Sequence, residues 1–285
     1  MDKINLKAMA KINLGLDVVR RREDGYHEVR MIMQTIKMYD RIGIKKIDEG
    51  IKVKTNLFYL PTDSNNLVYK AAKLMIDTYD IKSGVEIELE KFIPVAAGMA
   101  GGSSDAAAVL YGMNILFGLR VSKKQLMELG VKIGADVPYC IMRGTALAEG
   151  IGEKLTKLKD TPKCTILIAK PAFGVSTKFV YENLVLDENT KHPDIDKIIE
   201  CINEQDIYSL ASNIGNVLET VTIKEYPQIE EIKNVMKENG ALNALMSGSG
   251  PTVFGIFENK EDAEKCKRLL KGKLAKQVFV TETYN

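Results

Sequence analysis

An α+β protein of two domains is predicted by three features of the chain. These are its length of 285 residues, a strictly alternating segment near the N-terminus, and a C-terminal part ordered strand, helices, strand, strand, helix, strand. With 45% hydrophobic and 27% charged residues, that length supports a well-buried core and corresponds to roughly two domains.

The elements follow in chain order. Leu6, Ala8, Ala10, Ile12, Leu14, Leu16 and Val18 fall on one face of residues 6–18, with Lys7, Met9, Lys11, Asn13, Gly15 and Asp17 on the other. That period of two predicts a half-buried strand. Asp24-Gly25 is a tight-turn signal, and "HEVRMIMQTIKMYDRIGIKKI" beyond it predicts further antiparallel strands. "NNLVYKAAKLMIDTYD" predicts a helix with Asn65 or Asn66 as N-cap, Leu67, Ala71, Leu74, Met75 and Thr78 on one face, and Gly84 soon after its end. "GVEIELE" returns to strand, Val85, Ile87 and Leu89 inward. A helix follows from Ser103 or Ser104 to Phe117, capped by a serine, and Ser122 with Gln125 makes a capping box for the next. The polar stretch "TKLKDTPK" marks the domain boundary, dividing the chain into 1–157 and 158–285. Beyond it come a strand ("CTILIAK"), three helices ("STKFVYENL", "PDIDKIIECINE", "PQIEEIKNVMKEN"), strands ("ALNALM", "TVFGIF"), a helix ("EDAEKCKRLLK") and a last strand ("QVFVTET"). Two split β-α-β units in a ferredoxin-like α+β domain account for this order.

Composition excludes several functions. No apolar run approaches the ~18 residues that span a bilayer, and "MDKINLKAMAKINLG" lacks a signal-type core, so a cytoplasmic protein without membrane partners is expected. Cys140, Cys164, Cys201 and Cys266 form no CxxC pair and read as reduced, mostly buried thiols. His27 and His192 are too few for a structural zinc site. A net charge of +2, from 40 basic and 38 acidic residues, with no basic stripe, argues against nucleic acid as a partner.

"PVAAGMAGGSSDAAAVL" carries the chemistry. Gly98, Gly101 and Gly102 let the backbone take positive φ and approach a ligand, and the helix that follows opens with unpaired amides and a positive dipole end, which suits phosphate. The loop lacks the Gly-Lys-Ser/Thr of a P-loop and the spacing of a G-x-G-x-x-G turn, and Asp105 stands where a nucleophile elbow needs glycine. A strand-to-helix turn with small residues for packing is the plainer alternative. A phosphate loop without its own lysine needs a cation and a base from elsewhere. Asp136 of "GADVPYC" sits among small and apolar neighbours, as a base or as an N-cap and turn former. Lys11 shares a strand face with Asn13, as the cation or as an ordinary solvated lysine.

"PVAAGMAGGSSDAA" resembles the phosphate-binding motif of the GHMP kinase superfamily. With "AKINLGL", "DGYH", "GADVPYC", "AEGIGE" and "SGSGPTVF" in the same order over residues 10–254, it resembles those members that act on a cytidine diphosphate-linked methylerythritol. The resemblance implies a two-domain GHMP kinase fold, an N-terminal mixed β/α domain followed by the ferredoxin-like one, with the active site in the cleft between domains. It implies ATP-dependent phosphorylation of the alcohol's 2-hydroxyl, with Mg2+, in the non-mevalonate route to isoprenoid precursors. Asp136 is then the catalytic base and Lys11 the ammonium that keeps it ionised and offsets charge on the phosphoryl group. Asn13 hydrogen-bonds the substrate polyol. Tyr26 and His27 recognise the cytidine end, and Tyr181 either covers the other cytosine face or is a core tyrosine. ATP lies along Pro94, Val95, Ala96, Ala97, Gly98, Met99, Ala100, Gly101, Gly102, Ser103 and Ser104, with adenine near Asn66 and Leu67. Ser104 approaches the metal, and Asp105 is a ligand or only a favourable charge near the helix start. Ala100 replaces a glycine of the commoner motif. "MSGSGPT" closes over the substrate or is a hairpin connection. The alternatives are a sister kinase of homoserine or mevalonate type, which would not need Tyr26 and His27, and a nucleotide-binding module without catalysis, which would not need Lys11 and Asp136.

Overall fold

Alternation along the first fifty residues is realised as two long strands, β1 (Lys3–Arg21) and β2 (His27–Ile47), neighbours in one sheet. At the turn joining them the Arg22 amide donates to the Tyr26 carbonyl at 2.8 Å, Gly25 takes φ +85°, and the Asp24 carboxylate accepts the Tyr26 amide. The computed structural model describes residues 1–285. Then follow β3 (Ile51–Thr55), α1 (Leu67–Tyr79), β4 (Gly84–Glu90), α2 (Gly101–Leu116), α3 (Lys123–Val131), α4 (Val137–Met142), β5 (Thr145–Gly150) and β6 (Lys154–Lys157). The remainder is β7 (Thr165–Lys170), α5 (Thr177–Glu182), α6 (Ile195–Glu204), α7 (Ile207–Asn213), β8 (Gly215–Asn216), α8 (Glu219–Glu225), α9 (Gln228–Glu238), β9 (Asn243–Met246), β10 (Val253–Phe257), α10 (Lys260–Leu270) and β11 (Gln277–Glu282).

The chain packs as two compact units. The first holds Met1–Ala10, Met38–Val95 and Ala100–Arg143; the second holds Lys11–Lys37, Ala96–Met99 and Gly144–Asn285. In the first, β4 pairs antiparallel with the C-terminal half of β2 and parallel with β3. Ile42, Ile44, Val85, Ile87 and Leu89 bury one face of this sheet together with α1 and α2. A Cβ at Gly112 of α2 would lie 2.5 Å from Leu6 Cδ1 and 2.7 Å from Ile44 Cδ1, so glycine lets the helix press onto the strands. Asn66 caps α1 by accepting the Val68 amide at 3.0 Å. The buried stripe of α1 is Val68, Ala71, Ala72 and Met75, rather than the predicted face that includes Leu67 and the exposed Thr78. Val68 supplies the missing i, i+3, i+4, i+7 repeat. The Ser122–Gln125 capping box of α3 forms as expected.

In the second unit β5 pairs antiparallel with β2 and with β6, and β8 lies parallel to β1, Gly15 opposite Gly215. A separate four-stranded sheet runs β11-β7-β10-β9, every pair antiparallel, the ferredoxin-like order, with α9 and α10 packed on it. Five short helices, α5 to α9, occupy the stretch between β7 and β9 where three were expected. Asp206 caps the unforeseen α7 through the Tyr208 and Ser209 amides, and seven-residue helices are too short for a periodicity to show.

The half-buried reading of β1 is overturned. Ala10, Lys11, Ile12, Asn13, Leu14, Gly15 and Leu16 are all buried, polar face included. A Cβ on Gly15 would strike Ile198 Cδ1 and Ile195 Cδ1 of α6 at 2.7 and 2.8 Å, so α6 covers the side that alternation assigned to water. All four cysteines are buried and free; burial pushes the Cys164 thiol up to about 12 and that of Cys266 to about 11. Phe254, fully buried in β10, sets a stability prediction: Phe254→Ala should cost about 3–5 kcal/mol. Urea unfolding measures it, and a shift under about 1 kcal/mol would mean that the site repacks.

Candidate active site

The glycine-rich loop is shaped at both of its ends. Ala100 takes φ +53° and ψ +29°, the left-handed conformation, and so turns the chain into α2 at Gly101. The helix therefore starts two residues earlier than Ser103, and no side chain caps it. The Ser104 amide already donates to the Ala100 carbonyl at 2.8 Å, and its hydroxyl donates to the Met9 carbonyl at 2.6 Å. Both donors of Ser104, its amide and its hydroxyl, are thus used within the fold. The first-turn amides of Gly101, Gly102 and Ser103 are the ones that a helix leaves without intrahelical partners. Gly102 is exposed, and a Cβ there would meet Leu67 Cδ1 at 3.2 Å. These first-turn amides stand at the positive end of a sixteen-residue helix, where an anionic phosphate group is favoured.

Asp136 belongs to the same unit. It stands immediately before α4, and its side chain makes no capping bond to the helix, so the N-cap alternative does not account for it. The preceding turn reaches the loop: a Cβ on Gly134 would lie 4.0 Å from Ser103 Oγ, and α2 packs on α4. Asn66 uses its carbonyl on the Val68 amide and its Nδ2 on the Pro61 carbonyl at 2.7 Å. It acts as a cap, and Leu67 is the member of that pair that borders the loop.

Asp105 does not face a metal. Its Oδ2 accepts from the Lys91 ammonium at 2.6 Å, and the same ammonium bonds Asp40 Oδ2, all three side chains at most 5% exposed. Burial pushes the Asp105 carboxyl well above the ordinary carboxylate range, with Lys91 opposing and Asp40 adding to the shift. Burial alone would lower Lys91, but Asp105 and Asp40 together outweigh it and hold the ammonium above its usual value. Lys91 and Asp40 belong to no motif of the sequence. A lysine just ahead of the loop was the visible signal, and neither residue stands out in a strand pattern. Nowhere do three His, Cys, Asp or Glu side chains cluster to hold a metal ion, so the residues do not fit a carboxylate cage for a divalent cation.

In the second unit, the Lys11 ammonium donates to Asn13 Oδ1 at 2.7 Å, with Lys11 5% and Asn13 0% exposed. Asn13 Nδ2 in turn donates to the Met31 sulfur at 3.6 Å. A buried ammonium interacts strongly with nearby charge, because the surrounding medium has a low dielectric constant. The Lys11 amide donates to the Met99 carbonyl, tying β1 to the loop. Gly98 has φ +69°, and a Cβ there would sit 2.1 Å from the Ser247 carbonyl oxygen; Ser247 Oγ donates to the Gly98 carbonyl at 2.9 Å. The segment "MSGSGPT" is thus the connection between β9 and β10, pressed onto residue 98, and Asn216 Nδ2 holds it through the Met246 and Gly248 carbonyls. His27 and Tyr181 face each other at 5.0 Å between ring centroids, tilted by 42°. Tyr181 is only half-buried, which excludes the core-tyrosine alternative, and Tyr26 is exposed. Burial, then the charge of Arg21, lowers His27 below its usual 6.5, so the ring is neutral at neutral pH and offers one donor and one acceptor. Gly98→Ala should cost about 1–3 kcal/mol of stability and weaken binding of a nucleoside triphosphate about tenfold or more. Thermal melting and calorimetric titration check this, and wild-type affinity would show that the contact with Ser247 does not shape the loop.

Comparison with known proteins identifies the family. The GHMP kinases N terminal domain matches residues 66–144 and the GHMP kinases C terminal domain matches residues 198–276. A 4-diphosphocytidyl-2-C-methyl-D-erythritol kinase of Lachnospira eligens is 61% identical over 286 residues, covering 100% of this chain and 99% of its own. A crystal structure of 4-(cytidine 5'-diphospho)-2C-methyl-D-erythritol kinase superposes with a TM-score of 0.86 at 31% identity, covering 99% of this chain and 100% of the other. Homoserine kinase from Cytophaga hutchinsonii, at 20% identity and a TM-score of 0.81 over 100% of this chain and 95% of its own, shares the fold. The chain belongs to the GHMP kinase family, among the 4-diphosphocytidyl-2-C-methyl-D-erythritol kinases.

Proposed function

We propose that this chain transfers the γ-phosphoryl group of ATP to the 2-hydroxyl of 4-diphosphocytidyl-2-C-methyl-D-erythritol, in the non-mevalonate route to isoprenoid precursors. The observation that carries the reading is the full-length likeness to relatives of that name. It is supported by the His27–Tyr181 pair, which a homoserine or mevalonate enzyme does not need. As a member of its family the chain is a small-molecule kinase with ATP as phosphate donor.

The steps follow from the side chains. Triphosphate oxygens are held by the amides of Gly101, Gly102 and Ser103 and the loop before them, with adenine beside Leu67. The substrate hydroxyl gives its proton to the Asp136 carboxylate as its oxygen bonds to the γ-phosphorus and the bond to ADP breaks. The Lys11 ammonium offsets the charge that builds on the transferring group, and the fully buried Asn13 orients that ammonium by accepting from it. His27 hydrogen-bonds the cytosine edge, with Tyr26 and Tyr181 on its faces. Since no cluster of carboxylates is available to cage a divalent cation, a Mg2+ ion would be held chiefly by the phosphate oxygens of ATP and would supply neutralisation of their charge. No helix is long and apolar enough to cross a membrane, and a cytoplasmic site of action is proposed. The division at residues 157 and 158 is proposed as the family domain boundary, since the two family matches fall on opposite sides of it.

Product analysis after incubation with ATP, Mg2+ and the cytidylylated alcohol tests the reading, with homoserine and mevalonate in parallel; phosphorylation of either instead would replace it, and ATP binding without transfer to any alcohol would make it a binding module. Asp136→Asn and Lys11→Ala should each lower kcat by about two to four orders of magnitude with little change in substrate dissociation constant. Near-normal turnover would remove that residue from the chemistry. Because His27 is neutral until the pH falls below its ordinary 6.5, acidification should raise KM for the alcohol and leave KM for ATP unaffected. A His27→Gln variant should lose that pH dependence; a rise that persists in it belongs to another group.

A further inference from the structure

The Lys91–Asp40–Asp105 triad lies outside the reaction just described, yet it is the most deeply buried cluster of charges in its unit. A buried cluster of one ammonium and two carboxyl groups is a poor way to gain stability, because desolvation consumes most of what the pairing returns. Asp105 Oδ1 is moreover buried with no hydrogen-bond partner. Its placement explains what stability does not. Asp40 Oδ1 accepts the amides of Phe92 and Ile93 at 2.5 and 2.8 Å, the two residues that lead into Pro94. Asp105 lies on α2 one residue after the first turn. The ammonium between them is so close to the helix start that a Cβ on Gly101 would lie 3.2 Å from Lys91 Nζ and 3.2 Å from Ile93 Cγ2. Asn56 fixes the backbone of Lys91 from the other side, accepting its amide at 2.8 Å and donating to its carbonyl at 3.2 Å.

We propose that Lys91, clamped by Asp40 and Asp105, is a positioning residue for ATP: it staples the leading and trailing ends of the phosphate loop together and so sets the direction of the first-turn amides of α2. A cation placed beside a helix N-terminus is repelled by the helix dipole, so it stays there only because both carboxylates hold it. The glycine at 101 leaves room for it. Neither Lys91 nor its partners touch the alcohol in this scheme, and loosening the staple misdirects the amides that bind the triphosphate while sparing the cytidine end.

The inference rests on reading residues 94–104 as the ATP loop. Steady-state kinetics with ATP and the cytidylylated alcohol, with calorimetric titration of ATP alone, test it on Lys91→Met, Lys91→Arg and Asp105→Asn. Lys91→Met should raise KM and Kd for ATP about tenfold or more, Asp105→Asn about three- to tenfold, and Lys91→Arg less than Lys91→Met, while KM for the alcohol stays within about twofold. A folded Lys91→Met protein with wild-type affinity for ATP overturns the inference, as does a loss that falls equally on ATP and alcohol. If Lys91→Met does not fold, Asp105→Asn decides, since it keeps the Lys91–Asp40 pair and the side-chain shape; unchanged ATP affinity there overturns it. A wild-type protein that binds ATP in this triad-dependent way but does not phosphorylate the alcohol would sink the proposed function and leave the staple standing.

Discussion

A helix cannot satisfy its own first amides, and the use of α2 turns on that fact. The unpaired donors of Gly101, Gly102 and Ser103 converge where the helix dipole is positive, and an anion is the partner that both features favour. The rest of the first unit keeps this end of the helix open and correctly aimed. Ala100 accepts a left-handed conformation that alanine disfavours, which places the turn one residue ahead of the glycines. Leu67, Ile93 and Lys91 then crowd the glycines closely enough that any side chain would have to displace them.

Strain of this kind persists where surrounding structure over-determines it. Ala96, Gly98 and Ala100 all have positive φ within five residues, and the contacts that hold them are specific. Gly98 is clasped by Ser247 from the turn between β9 and β10, and that turn is itself held by Asn216. Met99 accepts from the backbone of Lys11. One residue of β1 therefore bonds the loop through its amide and presents an ammonium through its side chain. This explains why a lysine is tolerated at 5% exposure among Ala10, Ile12 and Leu14.

Much of the fold was legible in local pattern. The strand at residues 84–90, the N-cap at Asn66, the capping box at Ser122 and the order of elements after residue 163 are short-range signals, decided by side chains a few residues apart. The errors share one cause. Lys11 and Asn13 look solvated because alternation reports two chemically different faces without saying what covers the polar one; α6 covers it at Gly15, and Asn13 packs on Met31. Serine looked like the cap of α2 because serine usually is, but the Ser104 hydroxyl found the Met9 carbonyl, 95 residues away in sequence. Asp105 looked available to a cation in the site, whereas its partner is Lys91, itself shared with Asp40 from a different strand.

What the sequence determined by itself was the loop's chemistry: small residues ahead of a helix make an anion cradle wherever they occur, because backbone geometry and unpaired amides are local properties. The family motifs likewise pointed to Lys11, Asp136, Tyr26 and His27 as candidate site residues. Tertiary structure alone decided which polar groups serve the fold and which remain for a ligand. Burial and long-range pairing assign Ser104, Asp40 and Asp105 to the first class. Desolvation makes a buried polar group costly unless it finds a partner, and that partner is chosen by packing between segments far apart in the chain.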